Sequence, residues 1–141
     1  MRVVLDTNVL ISAVWKPGGL EAQVVEHAWR GSFSLAVSEA VMAEYAEVLG
    51  RKKFAQKQVA IQQLWQKLQK HAEMFQTADT LHISKDKDDN RMLECALAAQ
   101  AAYLVTGNLK DYPEALGATK VRSARMFLVE AQLTFVDSAV P

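Results

Sequence analysis

The chain has few of the residues that build covalent or metal-held frameworks. It holds a single cysteine, Cys95, so no disulfide can close within it. Its three histidines, His27, His71 and His82, are scattered, and none stands at a zinc-ligand spacing from Cys95. Cys95 lies in the helical pattern Leu93 to Leu97 and reads as a small buried hydrophobe. Neither sign of charge is in excess: 16 basic and 16 acidic residues cancel, which excludes a whole-molecule basic field and leaves any nucleic-acid contact to a local patch. No apolar run approaches the roughly 20 residues that span a bilayer. The start of the chain goes directly into a strand pattern without the charged and apolar regions of a secretory signal. A cytoplasmic protein with no membrane partner is the expectation. Repeats, low-complexity tracts and interdomain linkers are also lacking, so one domain over residues 1–135 is expected, followed by a loosely held tail at 136–141.

What is present is an alternation of strand and helix patterns. Val3, Val4 and Leu5 form a short apolar run of the kind buried on both faces of a parallel sheet. Further strands are predicted at Phe33 to Val37, Tyr103 to Thr106 and Thr119 to Arg122, with a weaker one near Met74 to Thr77. Helical periodicity covers Leu20 to Arg30, Ser38 to Leu49, Gln56 to Ala72, Asp88 to Ala101 and Ser123 to Ala131. This order predicts an α/β domain with a mainly parallel sheet, whose functional crevice lies beyond the carboxyl ends of the strands. Polar residues gather there: Asp6, Thr7 and Asn8 after the first strand, Ser38 after the second, Thr106, Gly107 and Asn108 at the end of another.

Three acids are drawn toward that edge. Asp6 follows a buried strand directly and reads either as a helix cap or as a site carboxylate. Glu44 comes three residues after Val41 and four before Val48, bordering the apolar face of its helix, while Glu39 and Glu47 point further toward solvent. In Lys85-Asp86-Lys87-Asp88-Asp89-Asn90, Asp86 or Asp88 suits a cap, whereas Asp89 heads the stripe of Met92, Leu93 and Ala96 that turns toward the sheet. Three clustered carboxylates repel and hold protons unless a cation neutralises them. Hard divalent ions with oxygen ligands, Mg²⁺ or Mn²⁺, fit such a set. The chemistry such a site supports is attack of an activated water on a phosphodiester.

Four segments then resemble the PIN-domain family. Val3 to Ala13 (V-V-L-D-T-N-V-L-I-S-A) is similar to its opening motif and Ser38 to Leu49 (S-E-A-V-M-A-E-Y-A-E-V-L) to its glutamate helix. Asp86 to Ala99 (D-K-D-D-N-R-M-L-E-C-A-L-A-A) and Tyr103 to Tyr112 (Y-L-V-T-G-N-L-K-D-Y) resemble its third and fourth blocks, in the family's order. The nearest branch is the bacterial toxins of toxin–antitoxin systems (VapC-like). The resemblance implies a Rossmann-like sheet of four to five strands flanked by helices, and a metal-dependent endoribonuclease using one or two Mg²⁺ or Mn²⁺ ions. It carries over Asp6, Glu44 and Asp89 as catalytic metal-binding acids, and Thr7, Asn8 and Thr106 as groups that shape the site. Where the fourth block often has an acid, this chain has Asn108, which with Asp111 is expected among the site-shaping groups, Asp111 being the candidate for the missing carboxylate and a further metal ligand. An antitoxin partner and a homodimer are implied in the same way.

Lys85, Lys87, Arg91 and Lys110 surround the third and fourth blocks and suit RNA phosphates. Arg51-Lys52-Lys53-Phe54 makes a second basic patch at a helix end. Ile61, Leu64, Trp65 and Leu68 form a mostly core-facing stripe, with Trp65 and Phe54 candidates for a groove that takes a partner helix. Competing readings are a PIN ribonuclease of RNA maturation or turnover without antitoxin, and a catalytically silent PIN module binding RNA or protein. An aspartyl-phosphate phosphatase is disfavoured because Asn8, two residues after Asp6, is not a second aspartate.

Overall fold

The computed structural model describes residues 1–78 and 80–135; the tail expected at 136–141 lies outside the described residues. The chain runs β1 (Arg2–Leu5), α1 (Thr7–Trp15), α2 (Leu20–Trp29), β2 (Ser34–Ser38), α3 (Glu39–Leu49), α4 (Gln58–His71), β3 (Glu73–Phe75), α5 (Lys87–Ala99), β4 (Tyr103–Val105), β5 (Ala115–Leu116), β6 (Thr119–Arg122) and α6 (Ala124–Glu130). Single 3₁₀ segments precede α4 (Lys52–Lys57) and follow β4 (Leu109–Asp111).

The six strands form one sheet in the order β3-β2-β1-β4-β6-β5, parallel except for β5 against β6. From β1 the chain moves outward through β2 to β3, then crosses back to place β4 on β1's other side. The sheet therefore reverses its order at β1 and β4, and a crevice opens beyond their carboxyl ends. The backbone closes that point, with the Asp6 N–H donating to Val105 O at 2.9 Å.

The mainly parallel α/β fold matches expectation, with two differences. β5 adds a sixth strand; at two residues it is too short to carry a pattern, and it exists because Gly117, at φ +59°, turns Ala115–Leu116 back onto Thr119 and Lys120. α1 is a helix where the sequence suggested only its cap. Its Val9, Leu10 and Val14 are buried on the central strands' flank.

The core follows from the strand composition. Val3, Val4, Leu5, Leu104 and Val105 are all at 0 % exposure, buried on both faces as parallel strands require. Tyr45 of α3 is also wholly buried and donates its hydroxyl to Leu5 O at 2.5 Å. That bond fixes α3 to the end of β1 and so sets where Glu44, the preceding residue, stands. Cys95 is buried as expected; burial pushes its thiol up to about 12, so it stays protonated. Phe54 is buried rather than groove-facing, while Trp65 is half-buried beside Leu49 and Ile61 between α3 and α4. No helix among the described residues is long and apolar enough to cross a membrane.

Candidate metal centre

Asp6 lies at the switch point and is only 7 % exposed. Its Oδ1 accepts from the Thr7 N–H at 2.8 Å, capping α1, so the cap and the site carboxylate are one residue. Its Oδ2 accepts from Asn8 Nδ2 (3.3 Å) and Thr106 Oγ1 (2.7 Å), and Tyr112 Oη stands 3.1 Å from it. Thr106 is fully buried, and its oxygen already accepts the Asn108 N–H at 3.0 Å, which leaves its proton for Asp6. Asn8 spans the two strand ends by accepting the Gly107 N–H at 3.0 Å. Despite these donors, burial raises Asp6 above the usual carboxylate range, and Asp86 adds to it.

Asp89 faces Asp6 across one phenol. Tyr112 Oη donates to Asp89 Oδ1 at 2.9 Å while it touches Asp6 Oδ2, so a single buried hydroxyl ties the two acids together. Burial pushes Asp89 up to about 6 against that hydrogen bond, and Asp6, Asp86 and Asp111 repel its charge. Glu44 makes no hydrogen bond to either; it joins them through its field. Burial, then Asp88, then Glu47 raise it to about 7, with Asp6 a further contributor and Arg51 opposing.

The expected groups thus fall into three sets. Asp6, Thr106, Asn8 and Asp89 form one connected hydrogen-bond network, with Glu44 in electrostatic reach. Thr7 contributes its N–H, while its hydroxyl is buried without a partner among the described residues. Asn108 contributes its backbone N–H to Thr106, and Asp111 is exposed, within repelling range of Asp89. Lys85, Lys87 and Lys110 are exposed at the rim.

Arg91 corrects the sequence. It is 7 % exposed, its Nε 2.7 Å from Glu94 Oε1 and its guanidinium donating to Leu81 O at 3.0 Å, so its charge is buried and engaged within the fold rather than offered at the rim. Residues Asn90 to Ala96 of α5 are all buried, so this helix has no polar outer face there for Arg91 to occupy. Together with Asn90, which accepts from Ile83 N (3.0 Å) and Ser84 N (2.7 Å), Glu94 fastens the segment before α5 by accepting from Thr80 N and Leu81 N. Ser84 Oγ then donates to Asp111 O at 3.2 Å, joining the third block to the fourth.

Tyr112 is the site residue that sequence reasoning missed. It closes the fourth block, but a tyrosine beyond a turn carries no pattern that marks it; only its placement 106 positions from Asp6 in sequence and 3.1 Å in space does so. Of the two acids that suit a cap, Asp86 is the cap, its Oδ1 accepting the Asp88 N–H at 2.8 Å, and Asp88 is an exposed outer acid whose charge raises Glu44.

The model of the PIN domain matches residues 2–110. The chain belongs to the PIN-domain family. Among solved structures it is similar to a chain in the crystal structure of VapBC2 from Rickettsia felis bound to a DNA fragment from their promoter, at 22 % identity, with 78 % of this chain and 90 % of that one covered and a TM-score of 0.54. That likeness is one of fold. A search of curated proteins finds no match.

In this PIN domain no three of His, Cys, Asp and Glu among the described residues form a group that could hold a metal ion as it stands. The donor set nevertheless suits a hard cation. It is oxygen-only, its acids are raised by mutual repulsion and burial, and each lead carboxylate keeps oxygen lone pairs to spare. Asp6 Oδ1 has one donor, and nothing among the described residues donates to Asp89 Oδ2. A small ion that keeps most of its waters needs few such ligands.

Proposed function

We propose that this PIN domain is a divalent-metal-dependent endoribonuclease, the toxin of a type II toxin–antitoxin pair acting in the cytoplasm. The observation that carries the reading is the buried Asp6, held by three donors at the switch point and tied through the Tyr112 hydroxyl to Asp89. Asp6, Glu44 and Asp89 are the residues that hold Mg²⁺ or Mn²⁺, with Asp111 as a further carboxylate. Such an ion, when bound, supplies an activated water and neutralises charge developing on the phosphodiester. Asn8, Thr106 and Tyr112 keep the carboxylates in place, so little reorganisation accompanies reaction. Lys85, Lys87 and Lys110 meet the phosphates flanking the scissile bond. The likeness to a chain of VapBC2 supports a protein partner, and a homodimer is part of the same reading.

The test is cleavage of an end-labelled mixed RNA pool with Mg²⁺ or Mn²⁺. Cutting that disappears in EDTA and in Asp6→Asn supports the nuclease; well-folded, partner-free protein that leaves RNA intact contradicts it. The second reading, a silent module that binds without cutting, draws on Asn108, whose amide brings no charge to the fourth block.

A further inference from the structure

Basic charge is distributed very unevenly along this neutral chain. Residues 51–72 contain no Asp or Glu, yet carry Arg51, Lys52, Lys53, Lys57, Lys67 and Lys70, six of the 16 cations. The segment begins at the rim of the carboxylate crevice. Arg51 pairs with Glu47 of α3 at 2.8 Å, one helical turn beyond Glu44, and lies in electrostatic reach of Glu44 and Asp88.

From there the 3₁₀ segment folds its cations over aromatic rings. Lys53 Nζ stands 5.2 Å from the centre of the buried Phe54 ring, and Lys57 Nζ stands 5.3 Å from that of Trp15. Trp15 packs on Phe54 at 6.2 Å and remains 42 % exposed at the end of α1, the helix that Asp6 caps. An exposed indole among lysines has the composition of a single-strand platform: cations follow phosphates and the ring stacks a base.

We infer that Arg51, Lys52, Lys53 and Lys57 with Trp15 form the surface that holds single-stranded RNA alongside the carboxylate crevice. This rests on the ribonuclease reading and extends it from the scissile bond to the strand beyond. The shelf is distinct from Lys85, Lys87 and Lys110, which belong to the third and fourth blocks. It also explains how a chain of zero net charge brings a polyanion to an acidic crevice: the shelf adds local attraction beyond the lysines at the scissile bond.

The experiment measures binding of a short fluorescein-labelled mixed-sequence RNA across a salt series, in the cleavage-deficient Asp6→Asn background. Lys52→Gln/Lys53→Gln/Lys57→Gln is compared with Lys70→Gln/Lys120→Gln/Arg125→Gln, which removes equal charge at exposed positions on α4's last turn, β6 and α6. The exposed pair Lys52→Gln/Lys53→Gln provides a shelf variant should the triple not fold. The shelf triple is expected to weaken binding on the order of tenfold and flatten the log–log salt slope by about 2, since each single-strand phosphate contact contributes roughly 0.7. The exposed pair flattens the slope by about 1.4 on the same basis. Trp15→Ala is expected to weaken binding several-fold at an unchanged slope, because stacking releases no counterions. Equal losses in both triples, or no loss in the shelf variants, overturn the inference; the latter assigns the shelf to an acidic protein surface. No RNA affinity in any of these proteins would instead bring down the ribonuclease reading and this inference with it.

Discussion

At the amino edge of the sheet, Arg2 at the start of β1 pairs with Glu73 at the start of β3 at 3.1 Å, and the Thr119 hydroxyl donates to Ala101 O at 2.6 Å. Both of these polar groups meet a complementary one. At the carboxyl edge Asp6, Glu44 and Asp89 face Asp86, Asp88 and Asp111, and each lead carboxylate is raised by burial and by like charge. The same sheet thus ends in compensated charge on one side and uncompensated charge on the other. Sheet packing has no use for the second arrangement. It holds repulsion that a divalent cation would relieve, and that difference separates the part of the molecule built to fold from the part built to bind.

The sharpest way to break the comparison is Asp6→Asn. RNA cleavage is expected to fall by on the order of 10²–10³-fold or more, the scale of losing one preorganised electrostatic group. Metal-free thermal stability is expected to stay level or rise, because a buried repelled charge is removed. An arginine or lysine at the amino edge cannot show this opposition of activity and stability. A melting temperature that drops sharply in Asp6→Asn would mean that the carboxylate serves the fold first.

Next in size is Tyr112→Phe. It keeps the ring and deletes the hydroxyl that ties Asp6 to Asp89, so Mn²⁺ affinity by calorimetry is expected to drop about tenfold, as for other groups that orient metal ligands. Unchanged affinity would show that Asp6 and Asp89 hold their separation without it.

The pH dependence sharpens the comparison further. Glu44, near 7, and Asp89, near 6, both lie above their unfolded values, so the folded protein binds more protons than the unfolded one between about pH 4 and about pH 7. Metal-free stability is therefore expected to fall as pH rises through that window and to level off above it. A divalent ion competes with those protons, so its stabilising effect should grow from about pH 5.5 to about pH 8. Melting curves with and without Mg²⁺ read both trends; a metal-free optimum above pH 7 would contradict them. The smallest effect belongs to the other edge. Arg2 and Glu73 are 43 % and 45 % exposed, and Arg2→Ala is expected to cost about 1 kcal/mol or less with metal affinity unchanged.

Much of this was legible in the residues because parallel strands write their burial plainly. Val3-Val4-Leu5 followed by Asp6, and Tyr103 to Val105 followed by Thr106, announce strand ends, and strand ends locate the crevice. Helix phase turned Glu44 and Asp89 toward that edge, where Asp89 shares the Tyr112 hydroxyl with Asp6 and Glu44 lies in Asp6's field. The failures have a common physical origin in contacts that no local period reports. Tyr112 reaches the site from an irregular segment after a 3₁₀ turn. Arg91 looked available because most arginines are exposed, yet it sits on a stretch of α5 buried on nearly every side and is neutralised there by Glu94. β5 is made by a glycine turn rather than by any hydrophobic alternation.

Calorimetric titration of Mn²⁺ into the intact protein, alongside Asp6→Asn and Asp89→Asn, tests most directly whether the carboxyl edge is a metal site. The expected result is saturable binding to the wild type at about pH 7.5, where Glu44 and Asp89 are ionised, and its loss in both variants. An absence of binding to the wild type, or binding that survives both substitutions, would contradict the account.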